Sequence, residues 1–159
     1  MNWDFRNAEE LLKMCSENDM PISEVMIRRE MQLGETRRKA ILDRVEENMR
    51  IMSIAVERPI SEPARSMGGL IGGEASKLNQ LDESKAICGR VIHRAIINAL
   101  AVAETNASMG VIVAAPTAGS AGVLPAVLMS LYECYDISID ALRGGVINAG
   151  AIGDRKSVV

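Results

Sequence analysis

Between Arg94 and Glu133 the chain carries a single charged residue, Glu104. A stretch that long with one charge raises the question of a membrane span, and so limits the fold more than any other feature. A membrane span wants about 20 predominantly apolar residues. Here Pro116, Pro125, several glycines and a cluster of Ser, Thr and Asn interrupt the run. A buried interior helix followed by a buried loop is the expected solution, and no membrane partner is expected.

Composition sets the material of that interior. Hydrophobic residues make up 48% of the chain but aromatics only 3%, so the core has to come from Ala, Ile, Leu, Val and the ten Met. An aliphatic, Ala-rich core points to packed helices, hence an all-α fold. The net charge is −3 and Lys and Arg are interleaved with acids, which argues against a nucleic-acid partner. The start, Met1-Asn2-Trp3-Asp4-Phe5-Arg6, lacks a basic segment followed by an apolar one, so a cytoplasmic location is expected. Cys15, Cys88 and Cys134 are far apart and form no CxxC pair. They are expected to pack as small hydrophobes, with a redox or ligand role for one of them as the alternative.

The first 58 residues read as a charged helical layer. Asn7 followed by Glu10 is a capping box for a first helix, and Ser23 is a candidate cap for a second. A long helix is expected from Glu35 to about Glu57, with Ile41, Val45, Met49 and Met52 on one stripe. Residues 59–153 then read as an apolar helical core with glycine-rich loops, and 154–159 as a polar tail.

Within that core, the run Gly68-Gly69-Leu70-Ile71-Gly72-Gly73 has neither the spacing of a dinucleotide fingerprint nor that of a P-loop. A tight turn with positive φ is its simplest reading. A helix is expected from Asp82 or Ser84 to about Asn106, with His93, Ile97, Leu100 and Glu104 on one face. Over eleven residues the helix rises about 16 Å, so His93 and Glu104 do not touch. His93 reads first as a structural residue, with an acid–base role as the alternative. Glu104, if buried, needs hydrogen bonds, a counter-charge or a proton. A short extended segment is expected near 111–115, then helices at Val123–Tyr135 and at about Ile139–Ile152.

Between them lies Thr117-Ala118-Gly119-Ser120-Ala121-Gly122. Backbone N–H groups and hydroxyls ahead of a helix suit a carboxylate or phosphate, although many Gly/Ser loops are simply turns. No Ser/His/Asp arrangement is defensible from the sequence.

Three ordered segments carry a resemblance: Gly68 to Leu78, Ala101 to Gly110, and Ile112 to Pro125. Together they resemble the alpha chain of the bacterial iron–sulfur L-serine dehydratases, over nearly the whole length as far as Gly153. The resemblance implies a partial, mainly helical serine dehydratase domain that converts L-serine to pyruvate and ammonia. It also implies a [4Fe-4S] cluster acting as a Lewis acid, no pyridoxal phosphate, and a separate beta chain as partner. Thr117, Ala118, Gly119, Ser120, Ala121 and Gly122 are the implied substrate-binding positions, and the catalytic residues are not identified.

In the family the cluster cysteines lie downstream of a segment like Ala149-Gly150-Ala151-Ile152-Gly153. No metal ligand is therefore assigned here, and the chain is expected to be an N-terminal part of the subunit that does not build the cluster alone. Ala121 stands where the family often has Cys or Ser. The rival reading is a non-catalytic helical module for carboxylate binding or subunit assembly. A pyridoxal-phosphate lyase using Lys77 or Lys85 is the weakest alternative.

Overall fold

The structure, a computed structural model, describes residues 2–115 and 117–153. Pro116 of the third segment and the 154–159 tail lie outside the described residues. Among the described residues there are seven α-helices, two short 3-10 turns and no strand, so the fold is all-α. The extended segment expected near 111–115 is irregular chain without strand pairing. A β-branched run alone does not make a strand when no second strand is present to take its backbone groups.

The described residues fall into two compact units. One runs up to Glu47 and resumes at Arg143, and the other is Asn48–Leu142.

In the first unit, α1 (Ala8–Asn18) is capped as expected by Asn7, whose Oδ1 accepts from the Glu10 amide at 2.9 Å. The Glu10 carboxylate reaches back one residue further, to the Arg6 amide at 2.7 Å. Helix α2 (Ile22–Leu33) begins at Pro21, not at a Ser23 cap. Proline fixes φ near the helical value, and the Pro21 carbonyl already accepts from Glu24 and Val25, so Ser23 lies inside the first turn. The core here is Phe5, Leu11, Val25, Met26 and Ala151, with Cys15 packed at its edge. Partial burial works to raise the Glu24 pKa, but hydrogen bonds from Arg28 and Arg38 outweigh it and hold the carboxyl below its ordinary range.

Helix α3 (Arg38–Ser61) starts later than Glu35 and runs through Pro59. Proline has no N–H for the carbonyl four residues back, which leaves the Ala55 carbonyl without its helical donor. In the second unit that gap is filled by Thr105, whose hydroxyl donates to the Ala55 oxygen at 2.8 Å. The helix therefore tolerates its proline because a neighbouring helix completes it.

After α3 come α4 (Glu74–Asn79), a 3-10 turn at Glu83–Lys85, α5 (Arg90–Ala107), α6 (Val123–Cys134) and α7 (Ile139–Gly153). The helix expected to begin at Asp82 or Ser84 begins at Arg90. Asp82 instead caps the 3-10 turn through the Ser84 amide, and Gly89 at φ 77° separates that turn from α5. Ser138 caps the start of α7, its hydroxyl oxygen accepting from the Ala141 amide.

Helices α5 and α6 lie side by side and antiparallel. Gly122, just before α6, approaches Ala99 and Val102, while Glu133 near the other end of α6 pairs with Arg94. The core of this unit is Ala55, Val56, Val102 and Ala121, with Ile60, Ile112 and Met129 against it. Of the cysteines, Cys15 and Cys134 are half-buried, but Cys88 is exposed ahead of α5 rather than packed. No helix among the described residues is long and apolar enough to cross a membrane.

Candidate functional site

Glu104 organises the second unit from inside. It is buried on α5, and its two oxygens accept from the Gly73 amide at 2.9 Å and the Ala75 amide at 2.8 Å. These are early N–H groups of α4, which have no partner within their own helix. A carboxylate there is favoured by the helix dipole as well as by the two bonds. The need that the sequence assigned to Glu104 is thus met by backbone 29 and 31 residues away.

Three of the four glycines in front of α4 are required by the backbone. Gly69, Gly72 and Gly73 have φ of 69°, 141° and 93°. A Cβ on Gly72 would also stand 2.2 Å from the Ala64 carbonyl oxygen. The exposed carboxylate of Glu74 accepts from the Gly72 amide at 2.7 Å. Its pKa is lowered, chiefly by its own backbone amide and by that of Gly72.

The second loop is held by its own hydroxyls. Thr117 and Ser120 form a reciprocal cap around the 3-10 turn Ala118–Ser120: the Ser120 amide donates to Thr117 Oγ1, and the Thr117 amide donates to Ser120 Oγ. The Ser120 hydroxyl also donates to the Ala115 carbonyl at 2.9 Å. With that proton committed, Ser120 is a staple. Thr117 Oγ1 accepts from the Ser120 amide and lies 3.0 Å from Ser120 Oγ. Its own proton can go to Ser120 or to a ligand.

The two loops meet over α5. A cleft of about 380 Å³ is lined by Ile71 of the first loop, by Ala99, Ala103 and Asn106 of α5, and by Gly119 and Gly122 of the second loop. Each of the three segments that carry the resemblance contributes to this wall. Of the positions expected to bind substrate, Ala118, Gly119 and Gly122 line the cleft. Thr117 and Ser120 set the loop's shape, while Ala121 is turned into the apolar core with Ala55 and Val56.

His93 is buried on α5 and does not line the cleft; its Nε2 has no hydrogen-bond partner among the described residues. Seven of the ten described lining residues fall outside the Thr117–Gly122 positions expected from the sequence, Asn106 and Ile71 among them. Asn106 is the polar member of an otherwise apolar stripe on α5, which was a readable signal. Ile71 carries no such signal, because its position follows from the fold of the glycine loop.

The first unit has a larger open groove of about 530 Å³, bordered by Trp3, Glu24, Arg28 and Arg38. Its charges already satisfy one another, with Glu24 bonded to both arginines. None of the three segments borders it, so the smaller cleft is the better candidate.

Comparison with known proteins identifies the family. The family model described as serine dehydratase alpha chain matches residues 17–154. The probable L-serine dehydratase alpha chain of Bacillus subtilis is 38% identical over 150 residues, covering 94% of this chain and 50% of the relative. The L-serine dehydratase alpha chain of Peptoniphilus asaccharolyticus is 29% identical over 92% of this chain and 50% of its own length. The L-serine dehydratase of Haemophilus influenzae is 31% identical over 95% of this chain and 34% of its own. The chain spans about half the length of the alpha-chain relatives it matches. A match of the family model over residues 17–154, most of the sequence, means that this chain belongs to the serine dehydratase alpha-chain family.

Proposed function

We propose that this chain supplies the substrate side of an L-serine ammonia-lyase, with serine seated in the cleft between α5 and the loop Thr117–Gly122. The observation that carries the reading is the convergence of the three segments on one cleft, in a chain whose relatives are named L-serine dehydratases. A cytoplasmic setting and a beta chain as partner go with this reading.

The chemistry asked of such a site is loss of water from serine across Cα and Cβ, followed by hydrolysis of the resulting enamine, through its imine, to pyruvate and ammonia. The described residues contribute binding and shape. Among the described residues the cleft wall carries no charged side chain, so the serine carboxylate would be held by the Gly119 and Gly122 amides, with the Thr117 hydroxyl at the loop's edge. The Asn106 carboxamide can both donate and accept, which suits an ammonium or a hydroxyl. Ile71, Val102 and Val123 form the apolar part of the wall and limit water.

The [4Fe-4S] cluster implied by the resemblance does not fit the residues present. Such a cluster needs several converging thiolates. Cys15 belongs to the first unit's core edge, Cys88 is exposed ahead of α5, and Cys134 ends α6. No group of three His, Cys, Asp or Glu able to hold a metal occurs among the described residues. The ligands of such a cluster would have to come from outside the described residues.

The test is a titration of the isotope-labelled chain with L-serine. The amides of Gly119 to Gly122 and the Asn106 side chain should shift, and D-serine should shift them less. No response to L-serine at about 10 mM, or a response confined to the Trp3 groove, would overturn the reading. Serine binding that gives no pyruvate when the beta chain and the rest of the alpha chain are supplied anaerobically would favour the carboxylate-binding module instead.

A further inference from the structure

Helix α5 turns a row of apolar side chains to solvent. Ile92 and Ile96 are 53% and 42% exposed, and Ala99, Ala103 and Asn106 continue the same stripe at helical spacing. Helix α6 does the same with Val123 at 63% and Val127 at 47%, one turn apart. The antiparallel register, fixed at one end by Gly122 against Ala99 and at the other by Arg94 with Glu133, puts Val127 near the level of Ile96. Val123, Ala99 and Ala103 share the wall of the cleft, and Ile96 and Val127 stand one helical turn beyond Ala99 and Val123 on their own helices. From residue 95 to residue 132 the only charge is Glu104, which is buried and bonded to backbone.

Exposed isoleucine and valine rows that lead into an alanine-lined cleft suit the side of an apolar helix. Scattered exposed apolar residues need no explanation, but a contiguous uncharged band that opens into a cleft marks a contact surface. The alpha chains of Bacillus subtilis and Peptoniphilus asaccharolyticus extend over about as much sequence again as the half matched here. We infer that the α5–α6 groove seats an apolar helix from that other half of the alpha chain, which thereby roofs the cleft. The inference needs family membership alone and does not depend on serine being the ligand.

The test is co-expression of this 159-residue chain, tagged, with the unmatched half of the Bacillus subtilis alpha chain. The two should co-purify in equal amounts, and the double variant Ile96→Glu/Val127→Glu should weaken the complex by about tenfold or more. Both positions are exposed, so the melting curve of the variant alone should match that of the parent. The exposed Leu12→Glu in the first unit should leave the complex intact.

Because the unmatched half is not known to fold alone, the same question is put with peptides of about 20 residues spanning it, long enough for several helical turns. One amphipathic peptide should shift the methyl signals of Ile92, Ile96, Val123 and Val127. The inference is overturned if neither the half nor any peptide binds, or if binding survives the double substitution. It is also overturned if the groove is instead closed by a second copy of this chain or by the beta chain, seen as self-association or beta-chain capture that the double variant abolishes.

Discussion

The loop at residues 68–73 is fixed by a carboxylate from another helix, whereas the loop at 117–122 fixes itself. In the first, Glu104 holds the Gly73 and Ala75 amides from beneath, and the glycines adopt φ values that other residues rarely accept. In the second, Thr117 and Ser120 cap each other, and neither Gly119 nor Gly122 has positive φ. Gly122 is instead crowded, since a Cβ there would lie 3.3 Å from the Ala99 carbonyl oxygen, closer than ordinary contact. Gly119 is required by neither. One loop is a built wall, and the other presents a surface with room above it.

If that contrast is right, the first loop should fail when its anchor is removed. Glu104→Ala leaves two buried N–H groups without acceptors and should cost about 3 kcal/mol in chemical denaturation. Glu104→Gln should recover only part of this, because a carboxamide offers one acceptor where two amides need one each. A variant as stable as the parent would mean that the carboxylate does not hold the loop. Next in size, Gly72→Ala should cost about 2 kcal/mol, from the left-handed backbone and from the clash with the Ala64 carbonyl, which is backbone and gives way poorly.

Much of this wall was legible from residues 68 to 74 alone. A Gly-Gly-x-x-Gly-Gly run implies positive φ because only glycine adopts it without strain, and three of the four glycines do. A lone buried Glu implies hydrogen-bond donors, and it has them. Which donors could not be read, because 29 and 31 residues separate them from Glu104 and no local pattern joins the two. The same holds for Pro59 and Thr105. The helix was expected to end near Glu57, before the proline, and it continues to Ser61 because the group that replaces the missing N–H comes from another helix.

The failures were local competitions. Pro21 outranked Ser23 as a helix start, and Gly89 cut short a helix that the apolar pattern of residues 82–106 had suggested. At the site, the 117–122 loop could be located from composition. The division within it, with Ala121 facing the core and Gly119 the cleft, depends on the 3-10 turn and could not.

Thr105→Val tests the junction beneath both loops, since α5 carries Glu104 toward the first and lines the cleft beside the second. The substitution keeps the shape but removes the donor to the Ala55 carbonyl, so about 1–2 kcal/mol should be lost. The complementary change Pro59→Ala restores an N–H for that carbonyl and should recover much of the loss in the double variant. Equal and additive effects would show that the two residues are not partners.

A smaller effect separates the loops by pH. The folded-state pKa of Glu74 is depressed, so its contribution to the first loop is complete at neutral pH and is lost as pH falls through that lowered value. Hydrogen exchange at Gly72 should therefore lose protection in acid, after correction for the intrinsic rate. The second loop is held by hydroxyls and should keep its protection until global unfolding.

Gly119→Ala is the smallest change and the most discriminating. A Cβ there meets only Thr117 Oγ1, at 3.9 Å, which is ordinary contact, and the backbone needs no positive φ. Replacing glycine where alanine fits reduces the freedom of the unfolded chain, so stability should be unchanged or higher by about 0.5 kcal/mol. If serine sits against this loop, the added methyl occupies the space that its carboxylate needs, and affinity should fall about tenfold, or about 1.4 kcal/mol. Gly122→Ala should behave in the opposite sense, losing stability first through its contact with Ala99. A Gly119→Ala variant that is equally stable and binds L-serine as well as the parent would remove the ligand from this loop and leave the cleft as packing alone.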